Sequence, residues 1–365
     1  MKHFRFGLVA LAASAAAAHA GGIDRSGQSI AALFETGNYA ELSFSHVAPD
    51  VTGTAAAGLG GFSSGDMAGD YNQIGLAIKT DLRPNLAFAL ILDQPFGAKV
   101  DYPAGTNYYA QGSTAQLNTT AITGALKYTL PNNISLIGGL RMESMSAKAN
   151  IPFVASYTAS TNTVQDFGYV VGVAYEKPEI ALRVALTYSS KIKHGLNTTE
   201  SSLLTGGADV AGTTSISSPQ SVNLEFQSGV AKNTLVFGSI RWVDWTGFVI
   251  DPANYPPPSP LVSYDGDVFT YTLGVGHKFS DHLSGALSVG YDTRIGGFSS
   301  NLGPTDGKTT VTVGVSYTKD KFKISGGISY VMLGNTQTTL DGATAAATFK
   351  GNKAIGVGMK IGYAF

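Results

Sequence analysis

Between Lys353 and Phe365 every second residue is large and apolar. Ile355, Val357, Met359, Ile361, Tyr363 and Phe365 share one parity, and Ala354, Gly356, Gly358, Lys360, Gly362 and Ala364 the other. A strand turns successive side chains to opposite faces. This segment therefore carries a greasy face and a small or polar one, and it ends on an aromatic. A strand with lipid outside and a polar lumen inside has this pattern. A half-buried strand of a soluble sandwich alternates equally well, so recurrence and order along the chain decide.

The pattern recurs. Phe269, Tyr271, Leu273 and Val275 alternate with Thr270, Thr272, Gly274 and Gly276. Leu287, Val289 and Tyr291 repeat it, as do Val311, Val313, Val315 and Tyr317, and Phe167, Tyr169, Val171, Val173 and Tyr175. Further strands fit at 38–47, 73–81, 86–94, 117–130, 134–148, 180–190, 220–230, 234–246 and 322–332, giving fourteen. Tight turns fall at Arg83-Pro84-Asn85, Pro131-Asn132-Asn133, Lys177-Pro178-Glu179, Lys232-Asn233, Ser280-Asp281-His282 and Lys319-Asp320-Lys321, where Gly, Pro, Asn and Asp carry turn chemistry. Long connections at 48–72, 95–116, 149–164, 191–219, 247–266, 293–308 and 333–352 alternate strictly with them. Short periplasmic turns and long extracellular loops produce that phase. The reading is all-β: a transmembrane antiparallel β-barrel of about 14 strands, with both termini in the periplasm.

The N-terminus supplies the address. Lys2 and Arg5 precede an apolar run from Phe6 to Ala18, and Ala18-His19-Ala20 is a small-x-small cleavage site. Residues 1–20 read as a signal peptide, 21–37 as a short N-terminal hatch, and 38–365 as the barrel. No later run approaches the ~20 apolar residues of a spanning helix. Charged residues make up 13% of the chain, against about 25% in a typical soluble domain. Removing Lys2 and Arg5 leaves 22 basic against 25 acidic residues, a net charge of −3, so no basic field exists to attract nucleic acid. Cysteine is absent, which excludes disulfides and thiolate metal sites. The expected place is the outer membrane of a Gram-negative bacterium, with outer-membrane lipid around a monomer.

Strand parity also sorts the charges. Lys79, Lys127, Arg141, Arg183, Arg241, Lys278, Lys323 and Lys360 fall on the small or polar face, with Glu41, Asp93, Glu143 and Glu225. Arg141, Arg183 and Arg241 are candidates for receiving a substrate carboxylate, because a guanidinium binds one bidentately. The structural alternative pairs them with Glu143, Glu225 or hatch Asp24. Asp93-Gln94-Pro95-Phe96-Gly97 places a proline and a glycine two apart at the top of a strand. Proline cannot donate to the ladder and glycine tolerates bends, so pairing should open locally; an ordinary strand end entering a loop is the bland alternative. Tyr255 to Pro260 is a stiff proline-rich loop segment. Catalysis finds no support: no H-E-x-x-H, no G-x-S-x-G, and histidines that are scattered in sequence. No cofactor or metal is expected.

Asn38 to Gly53, Gln94-Pro95-Phe96-Gly97 with Val100-Asp101-Tyr102, and Pro219 through Trp242-Val243-Asp244-Trp245 resemble segments of the FadL-like family. Phe279 to Leu283 with Val289-Gly290-Tyr291-Asp292 is similar to its later hairpin. These are outer-membrane transporters of long-chain fatty acids and other hydrophobic compounds, and the W-x-D-W segment is the most specific part of the likeness. The resemblance implies a fourteen-stranded barrel with an N-terminal hatch, here including Asp24, Arg25, Ser26 and Gln28. It implies passive uptake of a hydrophobic small molecule, with lateral release at a third strand kinked at Asp93 to Gly97. The family's hatch is longer and usually contains Asn-Pro-Ala, whereas Gly21 to Gly37 contains no proline. A hydrophilic diffusion porin, left open by so short a hatch, is the alternative, and a structural or receptor barrel is a third class.

Overall fold

The computed structural model describes residues 23–256 and 260–365; the expected signal peptide, its cleavage site and the middle of the proline-rich segment lie outside the described residues. Fourteen strands close into an antiparallel barrel. They are β1 (Tyr39–Asp50), β2 (Tyr71–Arg83), β3 (Leu86–Asp93 and Gly97–Asp101), β4 (Thr114–Thr129), β5 (Ile134–Ile151), β6 (Tyr157–Thr161 and Val164–Lys177) and β7 (Leu182–Ser189 and Ile192–Ser201). They continue with β8 (Val210–Ser218 and Ser221–Ala231), β9 (Thr234–Val243), β10 (Val268–Lys278), β11 (Leu283–Asp292), β12 (Lys308–Lys319), β13 (Phe322–Leu333) and β14 (Lys353–Ala364). The last strand pairs with the first, from Tyr39 opposite Ala364 to Asp50 opposite Lys353. Closure leaves no open edge, which hydrocarbon would not tolerate.

Parity decides the faces. Along β14, Ile355, Val357, Met359 and Ile361 are exposed outward, while Ala354, Gly356, Gly358, Lys360 and Gly362 are buried inside. Leu287 of β11 and Val313 of β12 stand directly opposite each other and are 48% and 55% exposed. So continuous an apolar outer belt is what a lipid environment covers. The small residues inside let the wall close: a Cβ on Gly362 would come 2.2 Å from the Tyr39 hydroxyl. The tight turns carry left-handed residues, among them Asn133, Asn233 and Asp320, which are residue types that tolerate that conformation.

Several expected loops hold strand, the segment 191–219 most of all. Residues 191–219 hold the extended outer halves of β7 and β8, paired from Ile192 opposite Ser218 to Glu200 opposite Val210. Polarity inverts there: Lys191, Lys193 and Asn197 face outward and Ile192 and Leu196 are buried. The hairpin thus continues beyond the apolar belt. Around it, loop segments Thr52–Ala55, Ser63–Asp66, Phe298–Ser299, Thr336–Thr339 and Ala345–Phe349 form a second small sheet. This sheet packs Phe349, Tyr102 and Tyr108 into a buried cluster.

The hatch lies inside the barrel. Its single 3-10 turn, Ala31–Phe34, buries Leu33 completely. Ile30, Ala32 and Leu33 pack on Ala77, Ala89, Ile91, Ala125, Ile137 and Ala185, inward residues of β2, β3, β4, β5 and β7. Burying a leucine side chain is worth about 1.5–3 kcal/mol. Small wall residues make room for it.

Candidate functional site

The wall breaks where Pro95 interrupts β3. The β2–β3 ladder runs from Arg83 opposite Leu86 to Leu76 opposite Leu92 and goes no further. Tyr71 to Gly75 of β2 remain paired to β1 but have no ladder partner on β3. The outer half of β3 pairs instead with β4, Gly97 opposite Asn118, and with the loop, where Ala68 bridges Val100.

Backbone groups released by the break must find partners, since an unpaired one at membrane depth is costly. The Gln94 side chain accepts the Ile74 N–H at 3.0 Å. Phe96 N–H donates to Thr119 Oγ1 at 2.9 Å, and that hydroxyl donates back to the Phe96 carbonyl at 2.7 Å. The hatch supplies the rest: Arg25 N–H donates to the Pro95 carbonyl at 2.8 Å and Gly97 N–H to the Ile23 carbonyl at 2.8 Å. Hatch and break therefore form one hydrogen-bonded unit.

Each candidate side chain has a place in it. Phe96 turns inward, 1% exposed, and meets Trp245 edge-on at 5.9 Å. In this way the W-x-D-W segment buttresses the break, while Trp242 Nε1 donates to Asp267 at 3.0 Å and Asp244 accepts from Gln220 at 2.9 Å. Asp93 accepts from Ser26 Oγ at 2.5 Å and from Arg141 Nη2 at 2.9 Å and 3.0 Å. Arg241 Nε donates to Asp24 at 2.8 Å, Nη1 to Asn223 at 2.8 Å and Nη2 to Gln28 at 3.2 Å. Arg183 lies 4.5 Å over the Phe34 ring. The three arginines do not converge: one braces the break, one the start of the hatch and one its 3-10 turn.

Three cavities adjoin this unit. One of about 130 Å³ lies in the wall, lined inside by Ser26, Ser29 and Ala32 and outside by Phe44, Ile74 and Leu76. A second of about 170 Å³ opens among the long loops and reaches Asp24, Tyr71 and Gly97. A third of about 60 Å³ is strongly apolar, with Ile23, Phe248, Ile250, Val262 and Leu302.

Sequence reading missed one cluster. His194 is fully buried, its Nδ1 2.9 Å from Asp166 and its Nε2 3.2 Å from Glu143, and Ser218 also hydrogen-bonds Glu143. The register puts Asp166 opposite Glu143. Two carboxylates facing each other across a ladder call for a partner between them, and that signal was present in the strand parity. Among the described residues no group of three or more His, Asp or Glu is placed to hold a metal ion.

A closed fourteen-stranded barrel with a hatch in its lumen and a breach in its wall defines an outer-membrane transport protein. The chain belongs to the outer membrane protein transport family (OMPP1/FadL/TodX), whose model matches residues 9–365. Its fold is similar to that of a FadL homologue from Pseudomonas aeruginosa (TM-score 0.72, 15% identity, 91% of each chain covered). It is also similar to the toluene transporter TodX of Pseudomonas putida (0.66, 14%, all of both chains) and to the toluene transporter TbuX of Ralstonia pickettii (0.66, 14%, 100% of this chain and 99% of that one). A sequence search of curated proteins finds no match. The family is one of Gram-negative outer-membrane transporters of hydrophobic compounds, not of enzymes. The diffusion-porin alternative draws no support from the family the chain belongs to.

Proposed function

We propose that this barrel takes up a hydrophobic molecule, a long-chain fatty acid, and releases it sideways into the membrane between β2 and β3. Cargo enters through the extracellular cavity, passes the hatch and leaves at Asp93 to Gly97. The observation that carries this reading is the cavity in the wall, which joins hatch residues to the lipid-facing Phe44, Ile74 and Leu76. A continuous ladder would leave an apolar solute no such exit. Lipid surrounds the barrel, which works as a monomer with both termini in the periplasm.

The test is to close the breach. The chain has no cysteine, so an Ile74→Cys/Gln94→Cys pair, opposite each other when the β2–β3 register is extended, can be bridged selectively. Uptake of labelled oleate by cells carrying only this transporter should stop on bridging and return on reduction. Unchanged uptake would exclude lateral release. Large ionic conductance of the unbridged barrel in a planar bilayer, indifferent to oleate, would exclude a plugged transporter.

A further inference from the structure

Arg25 is set apart from the three lumen arginines by its place, since of the four it alone lines the cavities at the break. Arg141 and Arg241 make ion pairs with Asp93 and Asp24, and Arg183 lies over Phe34. The Arg25 guanidinium, like that of Arg183, makes no ion pair and no side-chain hydrogen bond among the described residues, and the Nε of each is buried without a partner. Asp24, its sequence neighbour, points to Arg241 instead.

Its position is fixed. The Arg25 backbone is tied to Pro95, and its Cζ lies 4.1 Å from the centre of the Tyr71 ring. On the other side is Gly97, where an added Cβ would come 2.5 Å from the Arg25 Cζ and Nη1. Only glycine at 97 lets the planar fork lie in this slot. Stacking holds a guanidinium in orientation without using its donors.

Arg25 lines both the loop cavity and the cavity in the wall. Apolar side chains approach it from each: Val51, Met67 and Leu302 from outside, Ile74 and Leu76 from the wall. We propose that Arg25 is the head-group receptor at this junction. It binds the carboxylate of an anionic amphiphile while the tail turns from one cavity into the other. A carboxylate arriving through either cavity supplies the counter-charge that the guanidinium lacks, through a charge-assisted contact. The inference rests on the transport reading above and names the residue that distinguishes a carboxylate cargo from a neutral one.

The experiment compares retention of labelled oleate and oleyl alcohol by the full, membrane-reconstituted barrel with Arg25, Arg25→Gln or Arg25→Lys. Arg25→Gln should weaken oleate by about tenfold or more and leave the alcohol unchanged, with Arg25→Lys recovering part of the loss. Retained alcohol also reports a folded barrel. Equal loss of both ligands would make Arg25 a packing residue, and no loss would remove it from the path; either overturns the proposal. An unsubstituted barrel that retains neither ligand would overturn the transport reading itself, and this one with it.

Discussion

Arg241 and Asp24 meet at 2.8 Å across 217 positions of sequence, joining β9 to the hatch inside the barrel. Both side chains are buried, and the same guanidinium also reaches Asn223 and Gln28. Removing one partner of such a pair leaves a charge unpaired in the interior, at a cost of about 3–5 kcal/mol. Arg241→Gln should therefore release the hatch and not unfold the barrel, whose ladders do not depend on the pair. Hydrogen exchange should accelerate at residues 23–34 with the strands still protected, and ionic conductance through the lumen should rise. Unchanged exchange at the hatch would show that the 3-10 turn and the bonds to Asp93, Pro95 and Gly97 anchor it without the pair.

Gly97→Ala makes a prediction at a distance from any ligand. The new methyl would collide with the Arg25 guanidinium, and the flexible side chain should yield by shifting on the Tyr71 ring. Oleate retention should then fall by about tenfold, with oleyl alcohol unaffected, reproducing Arg25→Gln without touching the charge. Full oleate retention in Gly97→Ala would mean that the Tyr71 slot is not where the head group is read.

The outer belt makes a depth-dependent prediction. Leu287 sits mid-strand opposite Val313, whereas Phe279 flanks the short Ser280–His282 turn and is also exposed. An arginine on the lipid face costs about 2–4 kcal/mol at midplane and about 0–1 kcal/mol near the interface. Leu287→Arg should accordingly destabilise the barrel far more than Phe279→Arg in urea titrations of vesicle-embedded protein. Equal costs would place the membrane elsewhere on the barrel.

Strand parity carried most of the architecture, because period-two alternation with lipid outside is written into each of the fourteen strands. The outer halves of β7 and β8 escaped it. Above the apolar belt Lys193 and Asn197 face out, so the stripe that marks a strand disappears although the ladder continues. The break at Pro95 was one of two readings that proline's missing donor and the glycine two residues on allowed, an ordinary strand end being the other. That the hatch backbone would complete the broken ladder through Arg25 and Ile23 was not legible, since those contacts join segments about seventy residues apart. Arg241 could be assigned to the lumen from sequence. Its choice of Asp24 over Glu225 is a matter of three-dimensional register.

His194 shows what such register produces. Between β6 and β7 the ladder stops at Val170 opposite Ser189 and resumes at Thr198 opposite Thr161. Across that interval the wall is joined by side chains, His194 to Asp166 and to Glu143, and by the Ser190 hydroxyl accepting the Tyr169 N–H. His194→Ala would leave two facing carboxylates without the ring between them, at a cost of about 1–3 kcal/mol for the orphaned buried group. Hydrogen exchange should rise at residues 190–197 with the β3 break unaffected. Replacing Glu143 as well, by glutamine, removes the orphaned charge, so His194→Ala/Glu143→Gln should be less destabilised than the sum of its single variants. Strict additivity in that cycle would mean that His194 and Glu143 are neighbours that do not act on each other, leaving Asp166 as the ring's working partner.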